Sequence, residues 1–284
     1  MIKKAILAIL AIAAAGGLLV GNAYYQAVKT PSNNVEGTLK TAVGSDKKIA
    51  VCLGDSITHG TVSFDYVKHL SDDPALRDFV FVNEGINSRL AYHLLPLVGR
   101  VAALKPRYIF ILIGTNDLKG SLSKEEYRRY DELWSLPQRP TKKWFTETYK
   151  LLVDELKAKT GARITLISIP PLGERADSEP FRLAADYSKA IKEIASEKKV
   201  SYIPLNEILS AELDRRGKKD VKPYSMDEGF MYRSIAKRYL LRKTWDTISD
   251  DRGLLFMPDN IHLNERGGKI LAERIKMTLT GPGK

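Results

Sequence analysis

A chain of 284 residues, 44% hydrophobic and 28% charged, can bury a sizeable core, which excludes a disordered protein and favours one compact unit. The net charge of +11 favours anionic partners, such as a phospholipid surface or an acidic wall polymer. The basic residues are scattered, and there is neither zinc-finger spacing nor an RNP-like aromatic run, so nucleic acid is not an expected partner; the single cysteine, Cys52, excludes an internal disulfide and a paired-cysteine metal site, and reads as a buried structural thiol.

The chain opens on Met1-Ile2-Lys3-Lys4 and an uncharged apolar stretch from Ala5 to Gly21, the layout of an export signal. That run is longer than a usual signal-peptide core and shorter than a full membrane span of ~20 residues. Gly21-Asn22-Ala23 offers a small-x-small cleavage site, so residues 1–23 read as a cleaved signal peptide or a retained membrane anchor. Either reading makes the rest of the chain extracytoplasmic: secreted, periplasmic or tethered to the membrane. Residues 24–46, turn-rich around Pro31-Ser32-Asn33-Asn34, read as a polar tether ahead of a domain at 47–284.

Within that domain, short apolar runs at Lys48–Leu53, Phe79–Val82, Tyr108–Ile113, Arg163–Ile169 and Ser201–Leu205 predict five strands. Between them, Phe64–Leu70, Leu90–Leu104, Lys143–Lys159 and Arg182–Lys198 carry apolar residues at helical spacing, as does a last segment from Asn264 to Leu279. Near-continuous apolar strands separated by helices predict a parallel sheet covered on both faces, an α/β/α fold. Residues 119–142 and 214–257 break the alternation and read as insertions that wall a pocket.

In a sheet of this kind ligands bind beyond the carboxyl ends of the strands. The first strand is followed by Gly54-Asp55-Ser56-Ile57-Thr58, the second by Asn83-Glu84-Gly85-Ile86-Asn87 and the third by Gly114-Thr115-Asn116-Asp117. Asp259-Asn260-Ile261-His262 stands just before the last helix. Acyl transfer needs a nucleophile, a base, a group that orients the base, and donors for the oxyanion. Ser56 at a strand-to-helix turn supplies the first, His262 the second and Asp259 the third. The expected donors are the backbone N–H of Ser56 and Gly85 and the side-chain amide of Asn116. Asp117 reads as structural. His59 and Asn87 are expected at the cleft edge, in contact with substrate.

These four blocks resemble those of the SGNH hydrolase superfamily, the GDSL esterases and lipases. That family's Ser, Gly, Asn and His fall on Ser56, Gly85, Asn116 and His262, and its aspartate on Asp259, in order from Lys48 to the last helix. The resemblance implies a flavodoxin-like sheet of five parallel strands, no metal or cofactor, and hydrolysis of esters or thioesters. Gly-Asp-Ser-Ile-Thr in place of the lipase-like Gly-Asp-Ser-Leu leans toward the esterase branch. The expected substrates are short acyl or O-acetyl esters of envelope glycans, or lysophospholipids. O-acyl transfer to a polysaccharide and an inactive, membrane-tethered glycan-binding module are the alternatives. The sequence leaves oligomeric state open.

Overall fold

The computed structural model describes residues 17–41, 46–217, 220–227 and 229–281. Lys3, Lys4 and most of the apolar run from Ala5 lie outside the described residues. Five strands, β1 (Lys48–Gly54), β2 (Phe79–Gly85), β3 (Tyr108–Leu112), β4 (Arg163–Ile167) and β5 (Ser201–Ile203), form one parallel sheet in the order β2-β1-β3-β4-β5. This is the flavodoxin-like α/β/α architecture expected from the sequence.

The helices are α1 (17–28), α2 (Val35–Thr41), α3 (Ser56–His59), α4 (Tyr66–Ser71), α5 (Val98–Ala103), α6 (Thr115–Leu122), α7 (Lys124–Trp134), α8 (Lys142–Lys159), α9 (Glu179–Lys198), α10 (Leu205–Arg216), α11 (Gly229–Tyr239), α12 (Trp245–Asp250) and α13 (Glu265–Thr280). Strand side chains alternate between the faces. Val51, Leu53, Ile109, Ile111, Ile164 and Leu166 pack under α5, α8 and α9, while Ala50, Cys52, Phe110, Leu112, Ile167 and Ile203 pack under α4, α10 and α13. Cys52 lies fully inside the second layer, where burial pushes its thiol up to about 12.

Two sequence expectations are revised. The segment Leu90–Leu104, expected as one helix, is a 3-10 helix over Ala91–Leu97 followed by α5, with Pro96 in its tighter half. Proline has no N–H for a helical hydrogen bond, so the change of winding falls where its cost is lowest. Much of the segment 24–46 is docked rather than a tether. Asn83 donates its backbone N–H to Asn33 O at 3.0 Å, Asn33 Nδ2 donates to Phe81 O at 3.1 Å, and the backbone of Val35 at the start of α2 donates to the Glu84 carboxylate at 2.9 Å. The sheet edge at β2 is thereby covered, which is how an exposed edge strand is kept from pairing with other chains.

Candidate active site

β1 delivers Ser56 through a sharp turn. Asp55 caps α3 by accepting the N–H of Ile57 at 3.0 Å, and Ser56 opens the helix, so its own N–H has no acceptor within it. Across the cleft, Asn260 adopts a left-handed φ of 67° and turns the chain between Asp259 and His262. The Asp259 carboxylate accepts the backbone N–H of His262 at 2.9 Å and of Ile261 at 3.1 Å, and its other oxygen meets His262 Nδ1 at 2.7 Å. His262 Nε2 lies 2.8 Å from Ser56 Oγ. Burial works to raise the Asp259 carboxyl, but His262 and the two N–H donors outweigh it and hold the group below the usual carboxylate range. The result is a buried, hydrogen-bonded chain from carboxylate to imidazole to hydroxyl, the geometry that fixes a histidine tautomer and prepares a serine for attack.

Asn116, in the first turn of α6, faces the same cleft. Its Nδ2 donates to Arg89 O at 3.0 Å, and its Oδ1 accepts the Tyr130 hydroxyl at 2.7 Å. An amide nitrogen carries two hydrogens, so one remains for a ligand. Asp117 is structural, as expected: Oδ2 accepts the N–H of Ala91 at 3.0 Å, and burial raises the carboxyl to about 7.

The structure corrects the expectation for Gly85. Its N–H is donated to Asn83 Oδ1 at 3.0 Å, and its Cα lies beneath α3, where an added Cβ would stand 2.1 Å from His59 N. The glycine is there for close approach, because nothing with a side chain fits under the turn that carries Ser56. The loop that follows lines the cleft with Ile86, Asn87 and Ser88; Ser88 has a φ of 62° and its carbonyl accepts Trp134 Nε1 at 2.9 Å.

His59 and Asn87 border the cleft, but their polar atoms hold the N-terminal segment. His59 meets Asn87 Oδ1 through Nδ1 and Lys29 O through Nε2, both at 2.8 Å, and Asn87 Nδ2 donates to Ala27 O at 2.9 Å. Thr61 Oγ1 donates to the same carbonyl at 2.7 Å. Ala23 and Ala27 are buried, and α1 forms one wall of a cavity of about 1010 Å³ with Val20, Tyr24 and Val28. The opposite walls come from both insertions, with Tyr130, Leu133 and Trp134 from the first and Tyr224, Met231 and Tyr232 from the second. Ser56, Asn116 and His262 line the same space. The sequence pointed to both insertions as walls; Tyr130 and Lys119 escaped it, because which residue of a helix faces the cleft depends on how the helix docks, and Ser88 escaped it because a single turn residue leaves no periodic trace.

The profile of the GDSL-like lipase/acylhydrolase family matches residues 52–270, and the chain belongs to that family. No curated protein matches it in sequence. Among solved structures it is similar to the acetyl xylan esterase AlAXEase, with 16% identity, a TM-score of 0.56 and coverage of 81% of this chain and 99% of the other. An acetylxylan esterase from Geobacillus stearothermophilus shares 21% identity at a TM-score of 0.54, over 83% of this chain and 95% of the other. A lipase/acylhydrolase from Enterococcus faecalis shares 19% at 0.54, over 84% and 97%. At these identities the likeness establishes the shared SGNH-type fold.

Proposed function

We propose that the chain is a serine esterase that hydrolyses carboxylic esters through an acyl-enzyme on Ser56. The observation that carries this reading is the unbroken Asp259–His262–Ser56 chain of 2.7 and 2.8 Å contacts at one end of a large cavity. His262 takes the proton of Ser56 as Oγ attacks the carbonyl carbon. The oxyanion is held by the N–H of Ser56, the free amide hydrogen of Asn116 and, in the role expected of Gly85, the N–H of Ser88. Collapse returns the proton to the departing alcohol, and water activated by the same imidazole then releases the acid. Family membership supports ester chemistry.

Short acyl esters of envelope carbohydrate are the first substrate reading, supported by the fold shared with acetylxylan esterases and by the tyrosines and tryptophan of the walls. A lysophospholipid is the second, favoured by the apolar wall that α1 contributes. The same wall supports a retained N-terminal segment on an exported protein, since cleavage after Ala23 would remove Val20 and the buried Ala23 from the cleft. The test is hydrolysis of p-nitrophenyl acetate, butyrate and octanoate, with Ser56→Ala as control. Activity lost in the variant supports the mechanism, and the preferred chain length separates the two substrate readings. Full activity in the variant overturns the mechanism.

A further inference from the structure

Lys119 lies three residues beyond Asn116 on α6, so the two side chains share a helix face with Cβ atoms roughly 5–6 Å apart. It is 8% exposed and lines the cavity that holds Ser56. Its ammonium sits over the rings of Tyr130, at 5.7 Å, and Tyr224, at 5.8 Å. Among the described residues no hydrogen bond or ion pair reaches it. The surrounding acids are mostly committed elsewhere. Glu126 is held by the Tyr224 hydroxyl and by Arg129, Asp259 by His262, and one oxygen of Asp55 by Ile57 N–H. Burial acts to lower the lysine pKa, against the pull of Glu126.

A buried ammonium without a hydrogen-bonded counter-ion is costly, and aromatic faces offset only part of that cost. We propose that Lys119 forms an anion subsite next to the oxyanion donors, and that the substrate is an ester bearing a carboxylate or phosphate close to its scissile bond. The proposal rests on the esterase reading only in taking Ser56 as the place of the reacting ester. A lysophospholipid headgroup and an acidic sugar both present this chemistry.

Binding to the full chain carrying Ser56→Ala, measured by titration calorimetry, tests the subsite without turnover. One matched pair is 1-hexanoyl-glycerophosphoglycerol against 1-hexanoylglycerol; the other is an acetylated methyl glucuronide against the acetylated methyl glucoside. The anionic member of one pair is expected to bind about tenfold tighter or more, the scale of a hydrogen bond to a charged group. Adding Lys119→Met should collapse that preference and adding Lys119→Arg should retain it. The pair that shows the preference identifies the source of the anion. Equal binding within both pairs, or a preference that survives Lys119→Met, overturns the proposal. Unchanged hydrolysis in Ser56→Ala would instead count against the serine mechanism alone.

Discussion

The hydroxyl of Tyr130 donates to Oδ1 of Asn116 at 2.7 Å, and this bond decides which end of the amide faces the cleft. With Oδ1 held by a phenol and one Nδ2 hydrogen held by Arg89 O, the amide is fixed with its remaining donor available to a ligand. A donor fixed before the reaction costs no reorganisation when charge develops, which is the origin of its catalytic value.

Asn116→Ala should lower kcat by about 10² to 10³, the usual effect of losing one oxyanion donor. Tyr130→Phe should lower kcat by about tenfold with KM nearly unchanged, because the donor survives but loses its orientation. Combined, the two should cost no more than Asn116→Ala alone, since Tyr130 acts through the amide. Steady-state kinetics on the four proteins checks this, and additive losses would place the effect of Tyr130 elsewhere.

Gly85→Ala separates packing from catalysis. Its Cβ would stand 2.1 Å from His59 N and 2.5 Å from Thr58 C, so the turn bearing Ser56 must shift. Urea unfolding should show a loss of about 3 kcal/mol, at the upper end for overpacked sites, together with reduced turnover. An oxyanion role alone would leave stability untouched, because alanine keeps the N–H.

The five strands and the residues at their ends were legible because short continuous apolar runs and turn-forming Gly, Asp and Asn are local signals. Lys48, Phe79, Tyr108, Arg163 and Ser201 each open a strand where the apolar runs begin. Ser56 and Asn116 meet at one cleft because parallel strands deliver their ends to one edge, and the loop before α13 brings Asp259 and His262 to the same place. Gly85 was misread because glycine serves both a donor role and a close approach, and only its neighbour α3 distinguishes them. The docked course of residues 27–35 was not legible either. Its hydrogen bonds to His59, Asn87 and Glu84 join distant parts of the chain and leave no periodic trace.

The N-terminal segment should matter to the enzyme itself. A protein beginning at residue 31 lacks the carbonyls of Ala27 and Lys29 that satisfy Asn87, Thr61 and His59, and lacks the α1 wall of the cleft. Relative to a protein beginning at residue 17, it should show a lower Tm and a higher KM for octanoate than for acetate esters. Thermal unfolding and ester kinetics on the two proteins check this; identical values would reduce α1 to a passive extension.

Asp117 should make stability depend on pH. Burial raises its carboxyl from the ordinary 3.8 to about 7, so the folded state favours the protonated form. Its contribution is complete below about pH 4 and is lost as pH rises through about 7, an effect on the order of a few kcal/mol. Asp55, raised to about 6 by burial, acts in the same direction. Asp117→Asn keeps an acceptor for Ala91 N–H and removes the titration, so the fall in Tm between pH 5 and pH 8 should shrink but not vanish. An unchanged fall would mean that Asp117 is ionised in the fold.

A nucleophilic Ser56 can be captured covalently. The full chain treated with a fluorophosphonate and mapped by mass spectrometry should carry one adduct, on Ser56. That adduct should be absent from Ser56→Ala and form far more slowly in His262→Ala, in parallel with esterase activity. An adduct on another residue, or esterase activity that persists in Ser56→Ala, would rule out Ser56 as the nucleophile.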